Sequence, residues 1–315
     1  MMNRVALAVG VICLAIAPLA WADAALDAAL ALIPDGGDVA IHYDDAGRAA
    51  LESAIGALED AVGVTASFDA MSEDAYMALN IPVERKNLVN KLAQAYYTLC
   101  DVFLHNQDGA KTAFERGQFW GLKSLRMNPQ FAQIEDEGLD GYGKGFIDAV
   151  KAETDVAALY WTYGNWARKD EFDVLGAVFR NDPPKLLALI ERALEIDPAY
   201  ISYGAYRSLA GYYGSLPPLF GQNLPRALSY LCPVITEPAT CVECAACPFD
   251  PDCNLYFENR LIFAQYYLMK KSEWSEAARV LESILDEPAG ELHPLYNAFD
   301  QVLARELLAD VQKHL

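Results

Sequence analysis

Apolar side chains recur along this chain with a helical period. Leu186, Leu189, Ile190, Ala193 and Leu194 fall at i, i+3, i+4, i+7 and i+8, and Ala277, Val280, Leu281, Ile284 and Leu285 repeat the spacing. Each set predicts an amphipathic helix that buries one stripe. Alternating apolar and polar positions are scarce, and no Asn-Gly or Asp-Gly turn joins two β-branched runs, so strands are not expected. The pattern predicts an all-α protein.

The predicted helices end alike. Leu125-Arg-Met-Asn-Pro129, Leu194-Glu-Ile-Asp-Pro198, Val234-Ile-Thr-Glu-Pro238 and Leu285-Asp-Glu-Pro288 each place a proline just after a last helical turn. Proline lacks an N–H and restricts the residue before it, which stops the helix there. Small or apolar residues spaced four and three apart precede these stops: Gly117, Gly121 and Ser124, then Ala227, Leu231 and Val234, then Ala277, Leu281 and Ile284. Upstream of each such helix lies one rich in aromatics: Leu92 to Tyr97, Ala158 to Trp166, Tyr206 to Tyr213, and Leu261 to Tyr267. Paired helices of this make-up, closed by proline, form a degenerate tetratricopeptide pattern. The prolines are spaced more widely than the usual period of about 34 residues. Insertions are therefore expected near 105–113, 130–155, 169–183 and 238–256.

The helix-turn-helix array is assigned to residues 85–290. The alanine-rich stretch 23–84, with its stripe Ala50, Leu51, Ala54, Ile55 and Leu58, is expected to cap one end. Residues 291–315, carrying Phe299, Val302, Leu303 and Leu307, are expected to cap the other, because a solenoid must shield both terminal faces. Residues 1–22 read as a signal peptide. Arg4 is the only charge before Asp23, Val5 to Ile16 is apolar, and Ala20-Trp21-Ala22 supplies a small-residue cleavage site. These features predict export to the periplasm. No later apolar run reaches the length needed to span a bilayer.

The chain has 24 Lys+Arg against 44 Asp+Glu, a net charge of −20, and loss of Arg4 with the signal makes it −21. Such a charge disfavours nucleic acid and anionic membrane surfaces as partners. A hydrophobic content of 53% excludes general disorder.

The common catalytic signatures are missing: there is no G-x-S-x-G, H-E-x-x-H, S-x-x-K or Walker A sequence. Gly141-Tyr-Gly143-Lys-Gly145 lacks both a preceding strand and a Lys-Ser/Thr ending, and is expected to be an inter-repeat turn. His42, His105, His293 and His314 form no pair at helical metal-ligand spacing. Cys241, Cys244, Cys247 and Cys253 crowd one insertion. They suit structural disulfides, a zinc or iron–sulfur site, or a redox pair. An oxidising compartment favours the disulfides, with the pairing open. Cys100 and Cys232 sit among apolar neighbours and are expected to be buried thiols or a pair. No catalytic residue, cofactor or metal is assigned.

The aromatic density suggests a binding surface. Tyr160, Trp161 and Trp166 crowd one helix, and Tyr203, Tyr206, Tyr212 and Tyr213 crowd another. Adjacent Tyr160 and Trp161 must point about 100° apart, so some of these rings are expected to line a concave groove. Tyrosine and tryptophan suit such a surface because they combine large area with a polar tip.

Several stretches together resemble the T-component family of TRAP transporters. They are Leu159-Tyr160-Trp161 with Trp166, Glu191 to Tyr200, Gly211-Tyr212-Tyr213, Leu216-Pro217, Gly221 to Ala227, and Tyr296 to Phe299 with Ala304 to Leu308. The resemblance implies a periplasmic helical-repeat protein that assembles as a homo-oligomer, a trimer in the family. It implies docking of the TRAP solute-binding component and a passage able to hold a small hydrophobic ligand. Two features depart from the family pattern: the lipoprotein cysteine of some members is absent, and the Cys241–Cys253 insertion is additional.

Overall fold

In the computed structural model, the residues described are 24–138, 143–235 and 255–315. They are all-α, with no strand among them. In chain order the helices are α1 (24–32), α2 (Asp45–Val62), α3 (Glu73–Ala78), α4 (Lys86–Thr98), α5 (Ala110–Arg126), α6 (Pro129–Glu137), α7 (Lys144–Val150) and α8 (Val156–Asp170). They continue as α9 (Val174–Phe179), α10 (Asp182–Ile196), α11 (Tyr200–Ser215), α12 (Leu224–Leu231), α13 (Phe257–Phe263), α14 (Trp274–Asp286) and α15 (Pro294–Val311). The predicted signal peptide and the Cys241–Cys253 cluster lie outside the described residues.

The proline stops at 129, 198 and 288 act as expected, and Pro238 lies outside the described residues. Helix α10 ends at Ile196 before Pro198, and α14 ends at Asp286 before Pro288. Pro129 does more than stop α5. It opens α6, with the Asn128 side chain accepting from the amides of Gln130 and Phe131. The stripes Leu186, Leu189, Ile190, Ala193 and Ala277, Val280, Leu281, Ile284 are buried.

Close helix approach explains the spaced small residues. A Cβ on Gly121 would stand 2.8 Å from Thr162 Cα, and one on Gly117 would stand 2.4 Å from Asn165 Cγ. Both neighbours belong to α8, against which α5 packs. Ser124 turns instead to α4, donating to Asn90 Oδ1. Gly121→Val is expected to lose about 1–3 kcal/mol by forcing α5 from α8, read as a lowered denaturant midpoint at unchanged slope.

Helix α4 is buried on nearly all sides, between α2, α5 and α8. Its polar groups are satisfied by the N-terminal segment and by α8: Gln94 donates to Gly37 O at 2.8 Å and Asn90 to Asp155 Oδ2 at 2.8 Å.

The N-terminal segment and α15 pack against each other. Tyr43 packs on Phe299 with ring centroids 5.7 Å apart, His293 Nδ1 lies 2.7 Å from Asp38 Oδ2, and Tyr296 OH lies 3.1 Å from Thr98 Oγ1. One core cluster accordingly joins Val39, Leu51 and Leu92 to Leu295, Tyr296 and Phe299. The aromatic residues of α15 favour this closure because burying them against the N-terminal core removes from water an apolar face that an open array would leave wet.

Candidate functional site

Closure leaves a half-open cavity of about 650 Å³ between these helices. Each wall is one face of a helix. Helix α8 contributes Tyr160, Tyr163 and Arg168; α11 contributes Arg207, Ser208 and Tyr212; α13 contributes Glu258, Leu261 and Ile262; α15 contributes Tyr296, Asp300, Leu303 and Leu307. Spacings of four, three and four put the α15 set on one stripe, and Leu261 and Ile262 stand three and four residues after Glu258 on α13. Two π-turns complete the wall. Leu99–Phe103 continues α4 and presents Asp101, and Ala264–Leu268 continues α13 and presents Gln265 and Tyr266. A π-turn carries an extra residue per turn and re-aims the side chains around it, which is why such turns recur at functional sites.

Ions ring the interior, from fully buried Arg207 and Asp300 to half-buried Arg168 and Glu258 and exposed Glu171. Arg168 Nη2 reaches Asp101 Oδ1 at 2.6 Å, and Arg168 Nη1 reaches Glu171 at 2.7 Å. Arg207, only 2% exposed, pairs its Nε with Glu258 Oε2 at 2.8 Å and donates to Asn259 Oδ1 at 3.1 Å and Ile201 O at 2.9 Å. It also donates to Ser202 O. Ile201, Ser202 and Tyr203 have φ of 47°, 48° and 66°, the left-handed region that side chains with a Cβ rarely adopt. The Arg207 fork therefore clamps a strained turn at the start of α11.

Asp300 is 2% exposed, and its Oδ2 has no hydrogen-bond partner among the described residues. Burial first, and Glu258 next, hold its carboxyl well above the usual carboxylate range, against the opposing pull of Arg207. Burial also raises Glu258, again with Arg207 opposing. The Tyr160, Tyr212 and Tyr266 hydroxyls are pushed up to about 12 by burial, so they stay neutral.

The expected binding aromatics separate into three groups. Tyr160 and Tyr212 line the cavity. Trp161, Trp166 and Tyr213 are buried behind the wall. Trp161 Nε1 donates to Tyr200 OH at 3.0 Å, Trp166 packs edge-on against Phe146, and Tyr213 stacks on Tyr230 with the Arg226 guanidinium 4.3 Å from its ring centre. Tyr203 and Tyr206 are half-buried beside one another and outside the cavity lining, Tyr206 also facing Tyr230. Helix α11 presents more than one face to its neighbours, so its five tyrosines cannot all share the groove. Gly204 admits Tyr160: a Cβ there would stand 2.3 Å from the phenol oxygen.

The ionic ring was not assigned from sequence. Its one signal is a charge on an otherwise apolar stripe, as in Tyr296, Asp300 and Leu303, spaced four and three apart. Among the cysteines, Cys232 is disulfide-bonded and half-buried, which corrects the expectation of a buried thiol. Cys100 is free and buried, so the two do not pair, and burial pushes its thiol well above the ordinary range. Among the described residues, no three His, Cys, Asp or Glu side chains are placed to hold a metal ion, and no helix is long and apolar enough to cross a membrane.

Beside the cavity mouth lies an apolar rim. Val174 and Val178 of α9 belong to the lining and are themselves exposed, as are Phe172, Leu175 and Phe179, Phe179 at 88%. Leu219 is 94% exposed, just after Leu216 and Pro217 of the lining.

Among curated proteins, none matches the chain. The family model of the TRAP transporter T-component matches residues 82–231, from the turn before α4 to the end of α12. The matched stretch, just under half of the chain, holds two of the four helix walls of the cavity, α8 and α11, and every aromatic expected on the groove, and it bears out the resemblance to the TRAP transporter T-component family.

Proposed function

We propose that this protein is a non-enzymatic periplasmic accessory of a TRAP-type transporter that docks the solute-binding component at the cavity mouth and holds a small ligand inside. The observation that carries the reading is the half-open cavity with exposed Phe172, Leu175, Phe179 and Leu219 next in sequence to its lining residues. Large apolar side chains left in water beside a cavity mark an interaction surface, because covering them is favourable and a folded monomer has little reason to expose them together. A cavity of this volume falls in the range that small ligands occupy. Tyr160 and Tyr212 contact that ligand, while Trp161, Trp166 and Tyr213 hold the wall behind them. Assembly as a trimer, as the resemblance to the family implies, and export through a signal peptide at residues 1–22 complete the reading. Within the Cys241–Cys253 cluster, disulfides suit an exported chain better than a metal or redox site does.

The test is capture of partners from native periplasm by the tagged mature protein, with identification by mass spectrometry. A solute-binding protein recovered at near-equal stoichiometry is the expected result. Phe179→Asp is expected to reduce that recovery roughly tenfold or more, since truncating an anchor residue at an interface costs about 2 kcal/mol, without altering the melting temperature. Recovery of other envelope proteins in its place would leave a general scaffold.

A further inference from the structure

The ionic ring is unbalanced. Three carboxyls, Asp101, Glu258 and Asp300, face two guanidiniums, Arg168 and Arg207. Arg168 is engaged by Asp101 and Glu171, and Arg207 by Glu258, Asn259 and two carbonyls. Neither guanidinium is free for an anion. Asp300 is left over, buried, with its Oδ2 unpartnered among the described residues. Further acids stand along the lining at Asp170, Glu171 and Glu306. A lone buried carboxyl is costly unless something pairs with it. The rings of Tyr97, Tyr160, Tyr266 and Tyr296 line the same space and present negative faces to a cation. Leu303 and Leu307 follow Asp300 on its own stripe, and Leu261 and Ile262 follow Glu258 on theirs.

We propose that the cavity binds an amphipathic organic cation, whose ammonium group pairs with Asp300 beside Glu258 while its apolar body lies along Leu261, Leu303 and Leu307. The proposal rests on reading the cavity as a ligand site and names the ligand's chemistry. Asp300, Glu258 and Leu303 lie beyond the stretch matched to the family, so this end of the cavity belongs to the chain's own C-terminal helices.

The charge state of Asp300 gives the proposal a pH signature. The groups bearing on it are Glu258 from α13, Arg207 from α11, Asp101 from the π-turn after α4, and Asp38, which is paired with His293. Burial keeps the free carboxyl protonated to higher pH than usual, and a bound ammonium favours its ionised form. Affinity for an amine therefore rises as pH increases from 5 to 8, and binding releases a proton.

Tryptamine and its uncharged isostere tryptophol, titrated calorimetrically into the full-length protein, test this. Tryptamine is expected to bind about tenfold or more tighter than tryptophol, the scale of one charge-assisted hydrogen bond. Asp300→Asn is expected to abolish that preference while melting no lower than wild type at neutral pH, because it removes an ionisable group that folding disfavours. Equal binding of both probes, or a preference that survives Asp300→Asn, would overturn the cation proposal and leave the ligand-site reading standing. Binding of neither would overturn both.

Discussion

Replacing Arg207 by alanine is expected to destabilise the folded chain by about 3–5 kcal/mol, the scale for breaking a buried ion pair from one side. The reason lies in what the guanidinium holds. It pairs with Glu258, donates to Asn259, and caps the carbonyls of Ile201 and Ser202 inside a left-handed turn. Its plane also covers Tyr256, 4.3 Å from the ring centre. Alanine leaves half-buried Glu258 and buried Asp300 with their main opposing charge gone, and leaves the strained turn unclamped. Lysine does not restore the site, because one ammonium cannot reproduce a planar fork that serves several acceptors. The pH dependence has a definite sign. Glu258 and Asp300 have folded pKa values raised above their unfolded values. The folded state therefore binds the extra protons, and stability falls as pH rises. Loss of Arg207 removes the one cation opposing both shifts. The defect of Arg207→Ala should be largest near pH 8 and shrink as pH falls toward 5, as read from denaturant midpoints across that range. A defect independent of pH would show that Arg207 acts through the turn alone.

Trp161→Ala is expected to cost about 3–5 kcal/mol as well, by emptying a large core site, and to lower the melting temperature by on the order of 10 °C. Trp161 is 3% exposed, packs against Tyr97 and Tyr160, and closes a hydrogen bond with Tyr200. It joins α8 to α4 and to the start of α11. Capture of the solute-binding component well below the melting point should persist in this variant, since the indole is not on an accessible face. Loss of capture at unchanged melting temperature would return Trp161 to the binding surface.

The helices themselves were legible in the sequence because their causes are local. Apolar stripes at Leu186–Ala193 and Ala277–Ile284, proline stops at 198 and 288, and the small residues of α5 each act over a few positions. The resemblance to the family was legible for a related reason: Leu159-Tyr160-Trp161 and Leu216-Pro217 are contiguous strings that survive being read one after another. By contrast, assigning the aromatics to groove or core depended on partners from other helices. Trp161 is hidden by Tyr97 and Tyr200, and Tyr213 by Tyr230.

What the sequence by itself determined is the all-helical class, the helix ends before Pro129, Pro198 and Pro288, the buried stripes and the resemblance to the family. What only the tertiary structure decided is closure and its consequences. Thr98 meets Tyr296 across 198 residues, and Asp38 meets His293 across 255. No periodicity encodes such meetings, because they follow from the summed angles of every helix packing between them. The same closure turns Asp101, Glu258 and Asp300, three scattered acids, into one site. A carboxyl in a sequence is solvated by default, and only the surrounding walls make it buried, unpaired and chemically consequential.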